Sequence, residues 1–465
     1  MLRLILGTDW VAVREKILGS IADDVREEKS GRILMVPELI SHDTERRLCE
    51  AAGDTASRFA EVLSFTRLAG RVAEYTHRAP LACMDGGGRV VTMAAAARQL
   101  HSRLKAYASV ETKPEFLTEM VEAVDECKRC CITPVDLMAA AAQTEGSLAQ
   151  KLEELALLLE GYDGLCAQGK RDPRDQMTWL LEQLEDSDFG EKHVFYIDGF
   201  PDFTRQHLAI LEYLIRVSPA VTVGLNCDRP GSSAMAFEKA GETARQLLRC
   251  AENAGVEVRI ETLREDENDL SAVCAGLFQG RLPEISSGCV KAVRADSVWT
   301  EVHSAADRIQ ELVRSGCRYR DISLVCGDMT GYKGAIGLVF RRYGIPVYQS
   351  GNEDILQKNV VSAVLAALDA ALTGFEQKAV LRYLRSVLSP LDPDTCDRVE
   401  NYAILWGVRG NLWNKPWENH PDGLGEIWTE NAQKRLAQLN DARVRALEPL
   451  ERLSIAFREA KNVAQ

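Results

Sequence analysis

Short apolar runs alternate with amphipathic segments at the start of the chain. Residues 2–6 (LRLIL) and 33–37 (ILMVP) each precede a segment whose apolar residues recur at helical spacing. A third run, at 61–65, continues directly into RLAGRVAEYTHR. The runs at 194–200 (VFYIDGF) and 220–228 (AVTVGLNCD) are apolar almost throughout, as is typical of strands buried on both faces. This order predicts an α/β fold with a parallel sheet.

Two such units are predicted, each with a helical segment inserted into it. The first comprises residues 1–79 and 190–288, and the purely helical pattern of 80–189 interrupts it. The second begins within 289–370, with strands predicted at 290–295, 321–328 and 345–350. Residues 371–465 form a second helical insertion, which we expect to be cut short because no closing strand follows it.

Composition and charge exclude several classes of protein. The 465 residues are 46% hydrophobic and 27% charged, which excludes disordered, collagen-like and coiled-coil chains. The net charge of −13 excludes a general DNA-coating protein, so any nucleic-acid contact has to come from a local groove. No apolar run approaches the roughly 18–20 residues that span a bilayer. We therefore expect a cytoplasmic protein that does not bind membranes.

The thirteen cysteines have the irregular spacing of reduced thiols. Cys127, Cys130 and Cys131 are the one cluster, and three thiolates could bind zinc. No second cysteine or histidine pair follows at zinc-finger spacing, and the flanking DECKRC is typical of a polar helical face. We expect no metal site in this chain.

The first strand–loop–helix has the place of a phosphate-binding loop but not its residues. The loop reads GTDWVAVRE: Gly7 is present, whereas Trp10 and Val13 stand where glycines and a lysine would contact phosphate. Asp198 ends a strand as a magnesium-binding aspartate would, but glycine follows where a catalytic glutamate is needed. We interpret these four residues as a degenerate nucleotide site; alternatively, Asp198 only caps its loop. No catalytic residue is assigned.

Hydroxyl, arginine and phenylalanine side chains follow three of the predicted strands. Ser41 comes after the second strand, Phe65, Thr66 and Arg67 after the third, and Phe203 after the fourth. Open parallel sheets bind ligands at this edge. Arginines contact phosphates and aromatic rings stack on bases, so these residues predict a single-stranded DNA site. The alternative is that the rings pack beneath the helical insertion.

Several longer segments resemble one family. ILMVPELISHDTERRL, EVLSFTRLAGRV, KRDPRDQMTWLLEQL, VFYIDGFPDFTRQHLAILEYLI, AFEKAGETARQLL and DISLVCGDMTGYKGAIGLVFRRYGIPVYQSG occur in the order and spacing of the N-terminal half of AddB. AddB is the second of the two subunits of the AddAB (RexAB) recombination nuclease. The resemblance covers essentially the whole chain, and IDGF-x-DFT together with SF-x-RLA is its most specific part.

The resemblance implies a UvrD-like helicase architecture: tandem RecA-like (P-loop NTPase-type) parallel-sheet domains with inserted all-helical domains. It also implies an AddA-like motor subunit as partner and DNA ends as substrate, in double-strand break repair by homologous recombination. The family's iron–sulfur cluster and its magnesium belong to a C-terminal nuclease domain, so this chain should hold no cofactor. The chain departs from the family at Val13, Leu39 and Gly70, where a P-loop lysine, a glutamine and a polar or aromatic residue are usual.

Three functions follow as hypotheses, and whether the chain is itself an enzyme stays open. The first is a non-catalytic single-stranded DNA-binding and scanning module of an AddAB-type helicase/exonuclease. The second is an active ATP-dependent DNA helicase, which the missing lysine opposes. The third is a protein-interaction scaffold without DNA binding, which the acidic net charge favours.

Overall fold

A computed structural model describes residues 1–263, 269–270, 273, 290–349 and 355–460. The chain divides into two compact units, Met1–Ala292 and Val293–Gln465, here called unit 1 and unit 2. Among the residues described, no helix is both long enough and apolar enough to cross a membrane.

Unit 1 contains a six-stranded sheet in which every pair of neighbours is parallel. The strands are β1 (Leu2–Gly7), β2 (Arg32–Met35), β3 (Ala60–Leu63), β4 (Val194–Ile197), β5 (Val221–Asn226) and β6 (Val258–Thr262), in the order β3-β2-β4-β5-β1-β6. The predicted α/β class with a parallel sheet is confirmed, and five of these strands lie where the apolar runs predicted them.

Both faces of the sheet are covered, which explains why its strands are apolar without alternation. Along β1, Leu4 and Leu6 belong to one hydrophobic cluster and Ile5 belongs to another, and all three are fully buried. Helices cover each face because a parallel connection needs a crossover. The central strands are therefore inaccessible, and a ligand can approach the sheet at the loops that follow the ends of its strands.

The apolar pattern did not predict β6. Its sequence, VRIET, is largely exposed, and Ile260 is 46% exposed. Among the described residues it pairs with β1 alone, in the register Leu2↔Val258, so it is an edge strand there. An edge strand needs few buried side chains because its backbone hydrogen bonds come from one neighbour.

Eleven helices are described in unit 1. They are α1 (Trp10–Arg26), α2 (Ser41–Ala52), α3 (Phe65–Tyr75), α4 (Gly86–Leu100), α5 (Pro114–Arg129), α6 (Pro134–Ala141), α7 (Gly146–Gln168), α8 (Gln176–Glu185), α9 (Phe189–Lys192), α10 (Arg205–Val217) and α11 (Glu238–Asn253). Helices α4 to α7 surround their own hydrophobic cluster, which includes Met93, Val124 and Tyr162. Along the chain, these helices come between β3 and β4.

A buried polar network joins α4, α5 and α7 to the segment that leads back to the sheet. Asp172 is fully buried; its carboxylate accepts hydrogen bonds from Arg89 Nε at 3.0 Å and from the Tyr162 hydroxyl at 2.6 Å. Asp125 pairs with Arg89 and with Arg174, the latter at 2.8 Å. The two arginines lower the pKa of Asp125 although burial opposes this. Within unit 1, paired charges thus tie these helices to one another and to residues 172–174.

Unit 2 is helical in the part of the chain that the structure describes. Its helices are α12 (Val298–Arg314), α13 (Met329–Tyr343), α14 (Asn359–Leu372), α15 (Gln377–Leu384), α16 (Pro393–Leu405) and α17 (Glu430–Glu459). Helices α14 to α17 pack around Trp413, which is fully buried. Helices α12 and α13 share a smaller cluster around Ala306 and Ile336.

The prediction of strands at 290–295, 321–328 and 345–350 is wrong for the described residues of these segments. At 290–295, 321–328 and 345–349 the described residues form no strand, and Ser350 lies outside the described residues. Ile322 has extended backbone angles (φ −111°, ψ 126°), but Val325 is 88% and Tyr348 is 92% exposed. A strand requires backbone hydrogen bonds to a neighbour, and the described part of unit 2 supplies none at these segments. Local pattern alone did not make a sheet.

Candidate nucleic-acid interface at the strand ends

The carboxyl ends of the strands bring the predicted residues to one edge of the sheet in unit 1. Trp10 begins α1 after β1, and Ser41 begins α2 after β2. Phe65 begins α3 directly after β3, and Phe203 lies in the loop between β4 and α10. All four strands are parallel, so these positions lie together at the carboxyl ends of the strands, here called the strand-end edge.

The phenylalanines form an aromatic cluster at this edge. The ring of Phe65 lies 6.5 Å from that of Phe203 and 5.6 Å from that of Phe200, both in edge-to-face orientation. His207 stacks on Phe65 with centroids 4.1 Å apart. Phe65 is 5% and Phe203 is 9% exposed, so their surfaces are covered in this structure. Base stacking by these two rings stays a prediction, and it would require them to leave the cluster.

His207 is a member of this cluster that the sequence pattern did not predict. It lies in the first turn of α10, where the Thr204 hydroxyl accepts a hydrogen bond from its backbone N–H at 3.2 Å. Burial lowers the pKa of His207 to about 4, against the opposing charge of Asp202. Its imidazole is therefore neutral at pH 7 and acts as an aromatic packing partner. The only signal in the sequence was its position four residues after Phe203.

Two of the three polar residues of the predicted site, Arg67 and Ser41, have protein partners. Both terminal nitrogens of Arg67 lie 3.1 Å from Glu45 Oε1. The Ser41 hydroxyl is buried and donates to the Glu38 carbonyl at 3.0 Å. Thr66 is exposed. Of these residues, Thr66 and Arg67 are accessible to a ligand without rearrangement, and Arg67 would have to exchange Glu45 for a phosphate.

The loop predicted to be a degenerate nucleotide site is packed with the protein's own side chains. A Cβ atom on Gly7 would lie 2.9 Å from Val13 Cγ2, and Val13 is 2% exposed. The Asp9 carboxylate caps α1 by accepting a hydrogen bond from the Val11 N–H at 2.8 Å. The first turn of this helix therefore already has an anion at the place where a phosphate would bind.

Asp198 has a buried cationic partner. Arg14 Nε donates to Asp198 Oδ2 at 2.7 Å, and the two side chains are 9% and 8% exposed. The guanidinium carbon of Arg14 lies 4.9 Å from the centroid of the Trp10 ring. The next residue, Gly199, has a φ of +81°, which glycine adopts without strain. Asp198 is thus occupied by an arginine that sequence reasoning did not single out, although it lies one helical turn after Trp10.

No described group of three or more His, Cys, Asp or Glu side chains is arranged to hold a metal ion. Of the CxxCC cluster, Cys127 is buried in the helical segment, and Cys130 and Cys131 are exposed. Burial raises the pKa of the Cys127 thiol, which disfavours the thiolate that a metal needs.

Charge is distributed unevenly between the units. Unit 1 has 34 Lys and Arg against 47 Asp and Glu, whereas unit 2 has 22 of each, so the whole net charge of −13 belongs to unit 1. The arginines near the end of β3 are paired: Arg67 with Glu45, and Arg71 with Glu61 at 3.0 Å. The strand-end edge therefore has little uncompensated positive charge at these positions.

Comparison with known proteins gives consistent matches. A family model described as "ADDB, N-terminal" matches residues 4–272. Proteins named as the B subunit of an ATP-dependent helicase/deoxyribonuclease align over nearly the whole chain: that of Clostridium botulinum (strain Langeland) is 26% identical over 98% of this chain, and that of Geobacillus kaustophilus is 28% identical over 99%. The chain spans 42% and 43% of the lengths of these two relatives.

Proposed function

The chain belongs to the AddB N-terminal family, and we propose that it is the helicase-like part of the AddB subunit of an AddAB-type helicase/deoxyribonuclease. In this proposal it acts in repair of double-strand breaks by recombination, and it binds DNA without hydrolysing ATP. The relatives are named as one subunit of an enzyme, which supports a partner; an AddA-like motor subunit is the one proposed. Iron–sulfur and magnesium chemistry would belong to the part of the relatives that this chain does not span.

The Arg14–Asp198 ion pair is the observation that carries the non-catalytic role. An ATPase needs a lysine on the phosphates and a carboxylate available to Mg²⁺. Here the carboxylate is bound by a guanidinium at 2.7 Å, and Val13 fills the loop. Trading the paired, buried Asp198 for a magnesium ligand would leave Arg14 buried without a partner. These contacts oppose the active-helicase alternative.

The proposed DNA contact is the strand-end edge, with Ser41, Phe65, Thr66, Arg67 and Phe203 as its predicted residues. Its position at the carboxyl ends of parallel strands supports the proposal. The acid excess of unit 1 favours the scaffold alternative, in which this edge binds no DNA. The two hypotheses differ in one measurable quantity, the affinity for single-stranded DNA at low salt.

The test for nucleotide binding is thermal unfolding with and without millimolar Mg-ATP. A ligand at 100 times its Kd would add about 2.7 kcal/mol to the free energy of unfolding, enough to raise the Tm by about two degrees or more. We expect no shift and no phosphate release. A reproducible rise in Tm with ATP would show that the loop binds nucleotide, and phosphate release would contradict the non-catalytic role.

The test for DNA binding is fluorescence anisotropy of a labelled single-stranded oligonucleotide across a series of salt concentrations. We expect Arg67→Ala to flatten the logarithmic salt slope by about 0.7, the value for one single-strand phosphate. Arg46→Ala is the matched control, because Arg46 is also an exposed arginine paired with carboxylates, on α2. Absence of any binding by the parent chain, at low salt and with an AddA-type partner present, would favour the scaffold.

A further inference from the structure

The aromatic residues at the strand-end edge differ sharply in exposure. Phe65 and Phe203 are 5% and 9% exposed, whereas Trp10 is 51% exposed. Base stacking requires a ring face that solvent can reach. Trp10 meets this requirement without rearrangement, although it stands in the loop whose sequence disqualifies it as a phosphate site.

The ring of Trp10 is held in place by contact with a buried arginine. The guanidinium of Arg14 lies over the ring at 4.9 Å, and Arg14 is fixed by its 2.7 Å hydrogen bond to Asp198. The backbone is fixed as well, because Asp9 caps the helix that begins at Trp10. A ring that is already ordered loses little conformational entropy when a ligand stacks on it. The contacts that close the nucleotide site therefore also orient an exposed indole.

An exposed arginine follows the neighbouring strand at the same edge. Gly7, the last residue of β1, lies opposite Asn226, the last residue of β5. Trp10 comes three residues after Gly7, and Arg229 comes three residues after Asn226. The Arg229 side chain is 69% exposed, and its nearest carboxylate partner is Asp228 at 3.9 Å. An indole and a weakly paired guanidinium are the pair of groups that a nucleotide unit of a strand needs.

We propose that Trp10 is a stacking platform for a nucleobase of single-stranded DNA, and that Arg14 and Asp198 position its ring. The proposal rests on the proposed DNA-binding function and adds a contact to it. A free nucleotide carries the same base, so the two sources are separate arms of the test. In this arrangement the loop between β1 and α1 binds a base through Trp10, and no phosphate enters the loop.

Intrinsic tryptophan fluorescence tests the proposal directly, because stacking on a base quenches indole emission. The full chain is titrated with an unlabelled single-stranded oligonucleotide, and the parent is compared with Trp10→Phe and Trp299→Phe. Trp299 is the matched control, since it is 50% exposed and lies in unit 2. We expect saturable quenching in the parent and in Trp299→Phe, and its loss in Trp10→Phe.

Affinity is measured in parallel by anisotropy with a labelled oligonucleotide. We expect Trp10→Ala to bind about tenfold more weakly and Trp10→Phe, which keeps a ring, to retain most of the affinity. Trp10 is half exposed, so a Tm close to that of the parent would verify that Trp10→Ala is folded. In the second arm, ATP and dAMP replace the oligonucleotide, and we expect no quenching at concentrations where the oligonucleotide saturates.

The outcomes separate the two proposals. If the parent binds the oligonucleotide and Trp10→Ala binds equally well, the stacking role is wrong and the DNA-binding function stands. If the parent binds no oligonucleotide, both are wrong. Quenching by ATP or dAMP that disappears in Trp10→Phe, without quenching by the oligonucleotide, would assign the ring to free nucleotides and overturn the DNA proposal.

Discussion

Two segments of this chain have the same local sequence pattern, an apolar run followed by an aspartate that caps a helix, but they have different structures. In unit 1, the apolar β1 is followed by Asp9, which caps α1; in unit 2, the apolar segment 322–326 is followed by Asp328, which caps α13. Leu4 and Ile5 of β1 are fully buried, whereas Val325 is 88% exposed. The helix caps form in both places because they are local. The strand forms only where other parts of the chain pair with it.

The neighbours of β1 come from far along the chain. Leu2 lies opposite Val221 on one side and Val258 on the other. Arg14 and Asp198, which are 184 residues apart, tie α1 to the end of β4. Segment 322–326 has no such partners among the described residues of unit 2. Substitutions that remove long-range contacts should therefore destabilise β1 and its surroundings more than segment 322–326. Substitutions that remove local contacts should have the same effect in both places.

The largest expected effect comes from the ion pair. Arg14→Ala leaves Asp198 buried without its partner, which should lower the free energy of unfolding by about 3–5 kcal/mol. The control is Arg26→Ala, which removes an exposed pair with Asp23 on the same helix and should cause no measurable loss. Urea denaturation measures both. Equal losses in the two variants would mean that the long-range tie does not stabilise unit 1.

The strands themselves should respond next most strongly. Ile5→Ala should lower the free energy of unfolding by about 2–5 kcal/mol, because it leaves a cavity between buried side chains. Val325→Ala should change it by no more than about 0.5 kcal/mol. Urea denaturation and amide hydrogen exchange at both segments are the measurements. A large loss of unfolding free energy in Val325→Ala, or slow amide exchange at 322–326, would contradict this difference, because it would mean that the segment has a neighbouring strand.

The stability of unit 1 should also depend on pH, because His207 is buried in the aromatic cluster at the strand-end edge. Its folded-state pKa is about 4, below the ordinary value of 6.5, so the unfolded state binds a proton more readily. Stability is full above pH 6.5 and falls as the pH drops toward 4, by about 2 kcal/mol at pH 5.

The measurement is urea denaturation from pH 7 to pH 5 for the parent and for His207→Phe. The variant keeps an aromatic ring against Phe65 and removes the titrating group, so its stability should depend less on pH in this range. If the two profiles had the same slope, the histidine would not be neutral and buried as the structure has it.

The smallest effect should be the same in both segments. Asp9→Ala and Asp328→Ala each remove a side chain that accepts a backbone N–H at a helix start, from Val11 and Thr330 respectively. Each should cost about 1 kcal/mol for the helix that it caps. Far-ultraviolet circular dichroism during urea denaturation would compare them. Clearly unequal costs would show that the tertiary surroundings change even this local contact.

Several features of this protein can be predicted from short stretches of the chain. The apolar runs located β1 to β5. Val13, which stands where a phosphate-binding loop has a lysine, predicts that this loop binds no phosphate. The strand-end rule brought Phe65 and Phe203 to one edge, where they are in contact. These features depend on periodicity, residue type and the geometry of parallel strands, which are readable without knowing which residues meet.

Which strands are neighbours and which aromatic rings are covered depends instead on long-range contacts. The tertiary structure added the polar edge strand β6, left 322–326 without a neighbour in the described residues, buried Phe65 against His207, and set Arg14 between Asp198 and Trp10. Strand pairing, side-chain burial and ion pairing all depend on contacts between residues far apart in the chain. A local pattern does not specify which distant residues meet, so it could predict the phenylalanines at the edge but not that the tryptophan would be the exposed ring.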